Sequence, residues 1–375
     1  TERAAVREKK GQQEKEAGDT ETDQAAAAQD ELLAELDFDA IQQEVDSLLS
    51  SQQFSFAGTV RSLLQDGDPF RIFRAGNAVL SCAKTAFLAQ KGLMKELFLL
   101  VLAGAVLGSF SSLFEGKQVR DASFYMVYLL ALALILKNFQ SSGENLKAVI
   151  TSLVAFMRIL TPSYYLAAAA AGGASSAVMF YQMLLLVILA VEKLLLALVL
   201  PMIHIYLLIA LVNDLSGEEI LSHMTELLET CVNGLLKSSL GVLVGMQMIR
   251  NLIAPALDSL RQMALWRTAG MIPGIGNAVN AVTELVAGSA VLIRNCFGVT
   301  AMLVLLAAGM VPAVQLLVSG LSFRLLAAAA QPVSDKRIAG CLAAAGKGYA
   351  MLLRLLLTVE VLFLLTIAIL AGTFS

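Results

Sequence analysis

The chain has 375 residues, 57% hydrophobic and 15% charged, with a mean hydropathy of +0.73 and a formal net charge of −3. A soluble domain carries about 25% charged residues, so the composition excludes an ordinary soluble globule and calls for lipid as solvent. Of the 30 acids, 16 precede Gly92, against 10 of the 27 basic residues; an acidic polar head therefore leads into a mildly basic membrane body.

The sequence opens at Thr1 on a polar tract, and the expectation is a removed export signal or a trimmed terminus. Residues 1–29 hold almost no large apolar side chain and are expected to be disordered, because they bury too little to offset ordering entropy. Residues 30–91 are expected to form a small helical extracytoplasmic head. Its first helix runs to about Ser50, with Asp39 as cap, Gln42 at the third position, and Ile41, Val45, Leu48 and Leu49 on one face. Asp68-Pro69 starts the next helix. Ile72, Phe73, Val79, Leu80, Ala83 and Phe87 then share a side, with Arg71, Arg74, Lys84 and Lys91 largely elsewhere. That pattern suits a helix lying in the membrane interface; the competing reading is a core helix of a small soluble domain.

Residues 92–375 are expected to be the membrane domain. About eight apolar segments have roughly the length a bilayer crossing needs, about 20 residues. They are Leu97–Phe114, Ala122–Leu136, Ala148–Ala171, Ala174–Val191, Leu194–Val212, Ser238–Leu257, Cys296–Ser319 and Met351–Gly372. Several are short or interrupted, by Pro162, Gly172-Gly173 and Pro201, for example. These fit re-entrant or tilted helices, whose irregular backbone is tolerated only against protein or water. Between the fifth and sixth, Ser216-Gly217-Glu218-Glu219 reads as a capping box. It opens a surface connector helix with Ile220, Met224, Leu227, Leu228, Cys231 and Leu235 as its apolar stripe. Lys and Arg are scattered on both sides of most spans; an exported head makes the Lys117–Arg120 loop cytoplasmic.

Residues able to carry chemistry are few. The four cysteines, Cys82, Cys231, Cys296 and Cys341, never take C-x-x-C spacing and read as packing residues. His223 with Glu219 and Glu226 is the ordinary content of a solvated helix face, and His204 reads as a packed neutral histidine. Gly270–Gly276 lacks the Gly-Lys-Ser/Thr ending of a phosphate loop. No catalytic constellation, metal set, cofactor site or nucleic-acid patch is expected. The arginines stand out. Arg294, Arg324 and Arg354 lie near the ends of apolar runs and read as snorkelling groups. Arg158 lies well inside its run, and Glu360 in the last span is its expected counterpart as a second buried charge.

Four stretches carry a resemblance. They are Gly172-Gly173-Ala174 with Ser176-Ala177; Pro201 in its span; Gly270-x-Ile272-Pro273-x-x-Gly276 with Arg294-Asn295-x-x-Gly298; and Arg324-Leu325 through Gln331-Pro332 to Cys341-Leu342. Over most of its length the chain resembles the stage III sporulation protein AE family of endospore-forming bacteria. The head resembles it only around Gly67-Asp68 and Phe70, and residues 1–29 do not match.

The resemblance implies a place in the mother-cell membrane around the forespore, with the head between the two membranes. It implies partners: a secretion-type ATPase, ring-forming membrane proteins and a forespore-side protein, in a channel complex that supports late forespore gene expression. It implies no enzymatic activity. The resulting expectation is an all-α polytopic membrane protein, homo-oligomeric, acting as a pore or export-gate-like subunit. Gly270, Pro273, Gly276, Arg294 and Arg324 are its candidate pore or gate. A scaffold that recruits ring-forming proteins and an independent secondary transporter are the alternatives.

Overall fold

The computed structural model describes residues 37–49, 54–66, 75–111, 117–170, 175–216, 221–269, 276–332 and 334–372, and these are helical apart from short turns and caps. In chain order they give α1 (Phe38–Leu48), α2 (Phe56–Asp66), α3 (Ala75–Ser111), α4 (Lys117–Ala170), α5 (Ser175–Leu194), α6 (Leu200–Ser216), α7 (Ser222–Ala269), α8 (Gly276–Ala330) and α9 (Lys336–Gly372). A π-helical turn, Leu195–Val199, joins α5 to α6 without a break.

Several of the expected apolar segments run together into longer helices. Among the described residues, five stretches are long and apolar enough to cross a membrane: Tyr125–Tyr164, Leu185–Ser216, Ser222–Ile249, Gly288–Ala330 and Lys336–Ile369. The expected segments Ala122–Leu136 and Ala148–Ala171, the latter as far as Ala170, are two parts of α4. At 1.5 Å per residue its 54 residues make about 80 Å, against about 30 Å of hydrocarbon. Ala174–Val191 and Leu194–Val212 likewise fuse. Pro201 has no N–H and its ring crowds the carbonyl four residues back, at Ala197; the wider π turn sits at that point and lets the helix continue. The expected segment from Leu97 runs on, as far as Ser111, from the basic helix before it within α3. Asp68-Pro69, Ile72 and Phe73 lie outside the described residues.

The head helices lie against the membrane helices. Asp37, not Asp39, caps α1, its Oδ1 accepting from Ala40 N at 3.1 Å. Asp39 falls within the first turn instead. Gln42 is no capping-box partner. Its amide donates to the Phe54 carbonyl at 2.7 Å and its Oε1 accepts from Phe56 N at 2.8 Å, clamping the start of α2. Ile41 and Val45 are fully buried, as their spacing predicts. They join one apolar core with residues of α4 and α8. Phe56 meets Phe297 of α8 edge-on at 5.0 Å and Phe156 of α4 at 6.5 Å; Phe38 reaches Phe297 at 6.2 Å.

The expected connector is the beginning of α7. Ser216 closes α6, donating to the Asn213 carbonyl at 2.9 Å, and Asn213 Oδ1 accepts from Leu221 N at 2.8 Å. The expected capping box beyond Ser216, with the rest of residues 217–220, lies outside the described residues. Met224, Leu227 and Cys231 of the expected stripe are exposed, and Val232 and Leu236 are buried instead. With this face inward, Glu229 pairs with Lys347 of α9 at 2.5 Å.

The most extensive helix pair is the α8–α9 hairpin. Gln331-Pro332 forms its turn, and Asp335 Oδ1 accepts from Arg337 N at 3.0 Å to start α9. Small residues bring the two helices together. A side chain at Gly320 would begin 3.2 Å from Tyr349 Cβ, and one at Gly346 would begin 3.2 Å from the Gly320 carbonyl oxygen. A Cβ needs more room than this, so glycine fixes the closeness of the crossing.

Candidate functional site

Helix α8 carries four of the buried polar residues, Ser289, Arg294, Thr300 and Ser322, along its length. Near its start Arg294 is 1% exposed, in the layer where Phe297 receives the head. Snorkelling is therefore not its role. Its Nη2 lies 3.4 Å from Asn295 Oδ1. Arg324, toward the other end, is exposed as a snorkelling group would be, with its Cγ stem 2.8 Å from the site of a Cβ at Gly346.

Between these arginines α8 borders a cavity of about 290 Å³. Ala308, Pro312, Gln315 and Ser319 line it from α8, Ser142, Asn145 and Val149 from α4, and Leu48 and Leu49 from the end of α1. Pro312 gives up the helix bond to the Ala308 carbonyl. The wall thus combines aliphatic carbon with a freed carbonyl, two amides and two hydroxyls.

The hydroxyl of Ser142 continues inward from the cavity, 3.2 Å from Tyr349 Oη, which donates to Asn138 Oδ1 at 2.7 Å. Tyr349 stacks on Phe323 at 5.3 Å and meets Phe139 edge-on at 5.2 Å. Phe139 in turn meets His204 edge-on at 5.3 Å. The imidazole Nδ1–H donates to the Leu200 carbonyl at 2.8 Å, and the ring edge rests on Gly143. His204 is a packed histidine, as expected.

On another side of α8, Gly309 faces Glu360 of α9. Glu360 is buried, and its Oε1 is enclosed without a hydrogen-bond partner. Arg158, expected as a second buried charge opposite Glu360, is exposed. The acid within its electrostatic reach is Glu192 of α5, which is buried. Arg158 and Pro162 share one exposed face of α4, so the guanidinium reaches outward while a different helix supplies the carboxylate.

Of the candidate gate, Gly270 and Pro273 lie outside the described residues, and Gly276 heads α8. Arg294 and Arg324 are on one helix, yet one is buried and the other exposed. No His/Cys/Asp/Glu cluster able to hold a metal occurs among the described residues. His223 and Glu226 stand 4.0 Å apart with both side chains almost wholly exposed. Sequence reasoning missed the cavity wall, although Pro312, Gln315 and Ser319 recur at helical spacing. It also missed Asn138 and Ser142, whose partner Tyr349 lies 211 and 207 residues further along the chain.

No solved structure matches the chain. The stage III sporulation protein AE of Bacillus subtilis (strain 168) is 22% identical over 291 residues, covering 77% of this chain and 73% of that protein. The family model described as Stage III sporulation protein AE matches residues 54–373, which takes in α2 through α9. The chain is a multi-pass helical membrane protein and belongs to the stage III sporulation protein AE family.

Proposed function

We propose that the chain is a membrane component of the channel complex between mother cell and forespore, an oligomeric pore or export-gate-like subunit with no enzymatic activity. Its place is the mother-cell membrane around the forespore, with the head in the intermembrane space. Its partners are a secretion-type ATPase, ring-forming membrane proteins and a forespore-side protein. One observation carries the reading beyond family membership. Long helix α8 bears Arg294, a proline-opened cavity wall and Arg324 in sequence, with α1 and α2 docked at one end. Polar groups at membrane depth are retained against protein or water, and repeated copies of α8 around an axis make such a helix the lining of a passage.

The deciding experiment is the purified full-length protein examined by native mass spectrometry and electron microscopy. A closed ring with residues 288–324 toward its opening is the expected result. Those residues on the outer rim, facing lipid, overturn the reading and leave the scaffold role. A secondary transporter is favoured by a different observation, the cavity contained within one chain; a monomer with that cavity reaching both faces is its result. Orientation is read from Gln43→Cys, an exposed position of α1. Labelling by a membrane-impermeant maleimide in intact protoplasts is expected; labelling only after lysis puts the head in the cytoplasm.

A further inference from the structure

Glu360 sits near the middle of the apolar run Met351–Gly372. It is 8% exposed, and its Oε1 is enclosed without a hydrogen-bond partner. Its place is made by the facing helix. The carboxyl fills the space in which any side chain at Gly309 would begin, and even Glu360 Cγ would lie 3.0 Å from a Cβ there. A glycine at this point of α8 is thus a notch of carboxyl size.

Among the described residues, the titratable and charged groups on the helices around α9 are held elsewhere. On α9 itself, Lys347 pairs with Glu229 of α7 at 2.5 Å and Arg354 donates to Asn233 of α7 at 3.0 Å. On α6, Asp214 packs on Gly340, well before Glu360 along α9, and His204 is tied to the Leu200 carbonyl. On α5, Glu192 has Arg158 in electrostatic reach and Lys193 is exposed; on α4, Lys137, Glu144 and Lys147 are exposed. On α8, Arg294 and Arg324 stand fifteen residues to either side of Gly309, about 22 Å along the axis. Among the described residues an ionised carboxylate in the notch has neither a counter-charge nor a donor for Oε1, and hydrocarbon does not solvate it. The species such a site holds is the neutral acid.

We propose that Glu360 is a proton-binding site at the α8–α9 contact, protonated while its carboxyl lies in the Gly309 notch and losing the proton when the two helices part there. The site belongs to a single chain, so it does not depend on the pore reading.

The test uses the full-length protein in phosphatidylethanolamine–phosphatidylglycerol liposomes and dicyclohexylcarbodiimide, an apolar reagent that needs the carboxyl proton. The carboxyl adds across one C=N bond, oxygen to carbon and proton to nitrogen. The resulting O-acylisourea rearranges to a stable N-acylurea, which peptide mass spectrometry locates. The expected result is an adduct on Glu360 at neutral pH, with a labelling rate that falls roughly tenfold per pH unit on the alkaline side as the acid ionises. Glu360→Gln, an isosteric change, removes the adduct. Gly309→Ala evicts the carboxyl from the notch and shifts the alkaline fall toward lower pH. No adduct on Glu360, or a rate indifferent to pH, overturns the proton site. An unchanged profile in a folded Gly309→Ala protein overturns the role of the notch.

Discussion

The imidazole of His204 on α6 rests on Gly143 of α4, so closely that a Cβ at residue 143 would lie 2.6 Å from both Cε1 and Nε2. The ring cannot simply swing aside, because Nδ1 is bonded to the Leu200 carbonyl and Phe139 stands against it. Gly143→Ala is therefore expected to destabilise the protein by about 1–3 kcal/mol, the usual cost of overpacking. His204→Ser in the same chain restores part of it. Thermal unfolding in detergent measures both; Gly143→Ala melting like the parent refutes the contact.

Phe297 receives the head. Its ring lies among Phe38, Phe56 and Tyr164, at 6.2, 5.0 and 6.3 Å. Phe297→Ala removes a fully buried aromatic side chain, a loss of about 3–5 kcal/mol in a well-packed core. Because α1 and α2 depend on that surface, the expected consequence is local: protease cleavage near residues 49–55 accelerates while the remainder stays resistant. Cleavage kinetics equal to those of the parent show the head held by other contacts.

How far the sequence disclosed this arrangement depends on which signal each residue gives. The buried face of α1 was legible because Ile41 and Val45 recur at helical spacing among polar residues. The continuity of α4 was not. Residues 137–147 are polar enough to read as a loop when hydropathy is averaged. Lys137, Gln140, Ser141, Glu144 and Lys147 nevertheless share one exposed face, while Asn138, Ser142 and Leu146 turn inward. Pro201 was legible as an interruption, but a π turn follows from how the flanking helices pack. Arg294 shows the same limit: near the end of an apolar run, snorkelling and burial have one sequence signature, and the neighbouring helices decide. Gly309 and Glu360 are 51 residues apart, and their meeting is a property of the hairpin crossing.

The Lys347–Glu229 pair, 2.5 Å long, joins α9 to α7, with Lys347 also 6.0 Å from the centre of the Tyr206 ring. The lysine side chain is 49% exposed and the glutamate 25%, so solvent screening keeps the coupling to about 1 kcal/mol. A double-mutant cycle with Lys347→Met and Glu229→Gln, followed by unfolding in detergent, measures it. The charge-swapped double variant is expected to recover most of the loss. A coupling of zero makes the two residues independent surface charges.

The cavity on α8 gives the prediction that separates a working space from a packing gap. Ala307 lines it and is half-buried, and its position beside about 290 Å³ of space admits a benzyl group. Ala307→Phe adds apolar contact where none exists, so stability is expected to hold or rise by up to about 1 kcal/mol. Membrane insertion, governed by the overall apolarity of α8, is unaffected. If Gln315, Ser319, Asn145 and the freed Ala308 carbonyl form a wall that something must enter, the filled variant fails in its host: heat-resistant spore counts fall while the protein accumulates normally. Gln315→Leu, which keeps the volume and removes an amide, is expected to act in the same direction and less strongly. Measuring abundance by immunoblot beside spore counts keeps misfolding apart from loss of function. Full spore yield from a stable Ala307→Phe protein makes the cavity a gap in packing and moves the search for a passage to the faces between copies.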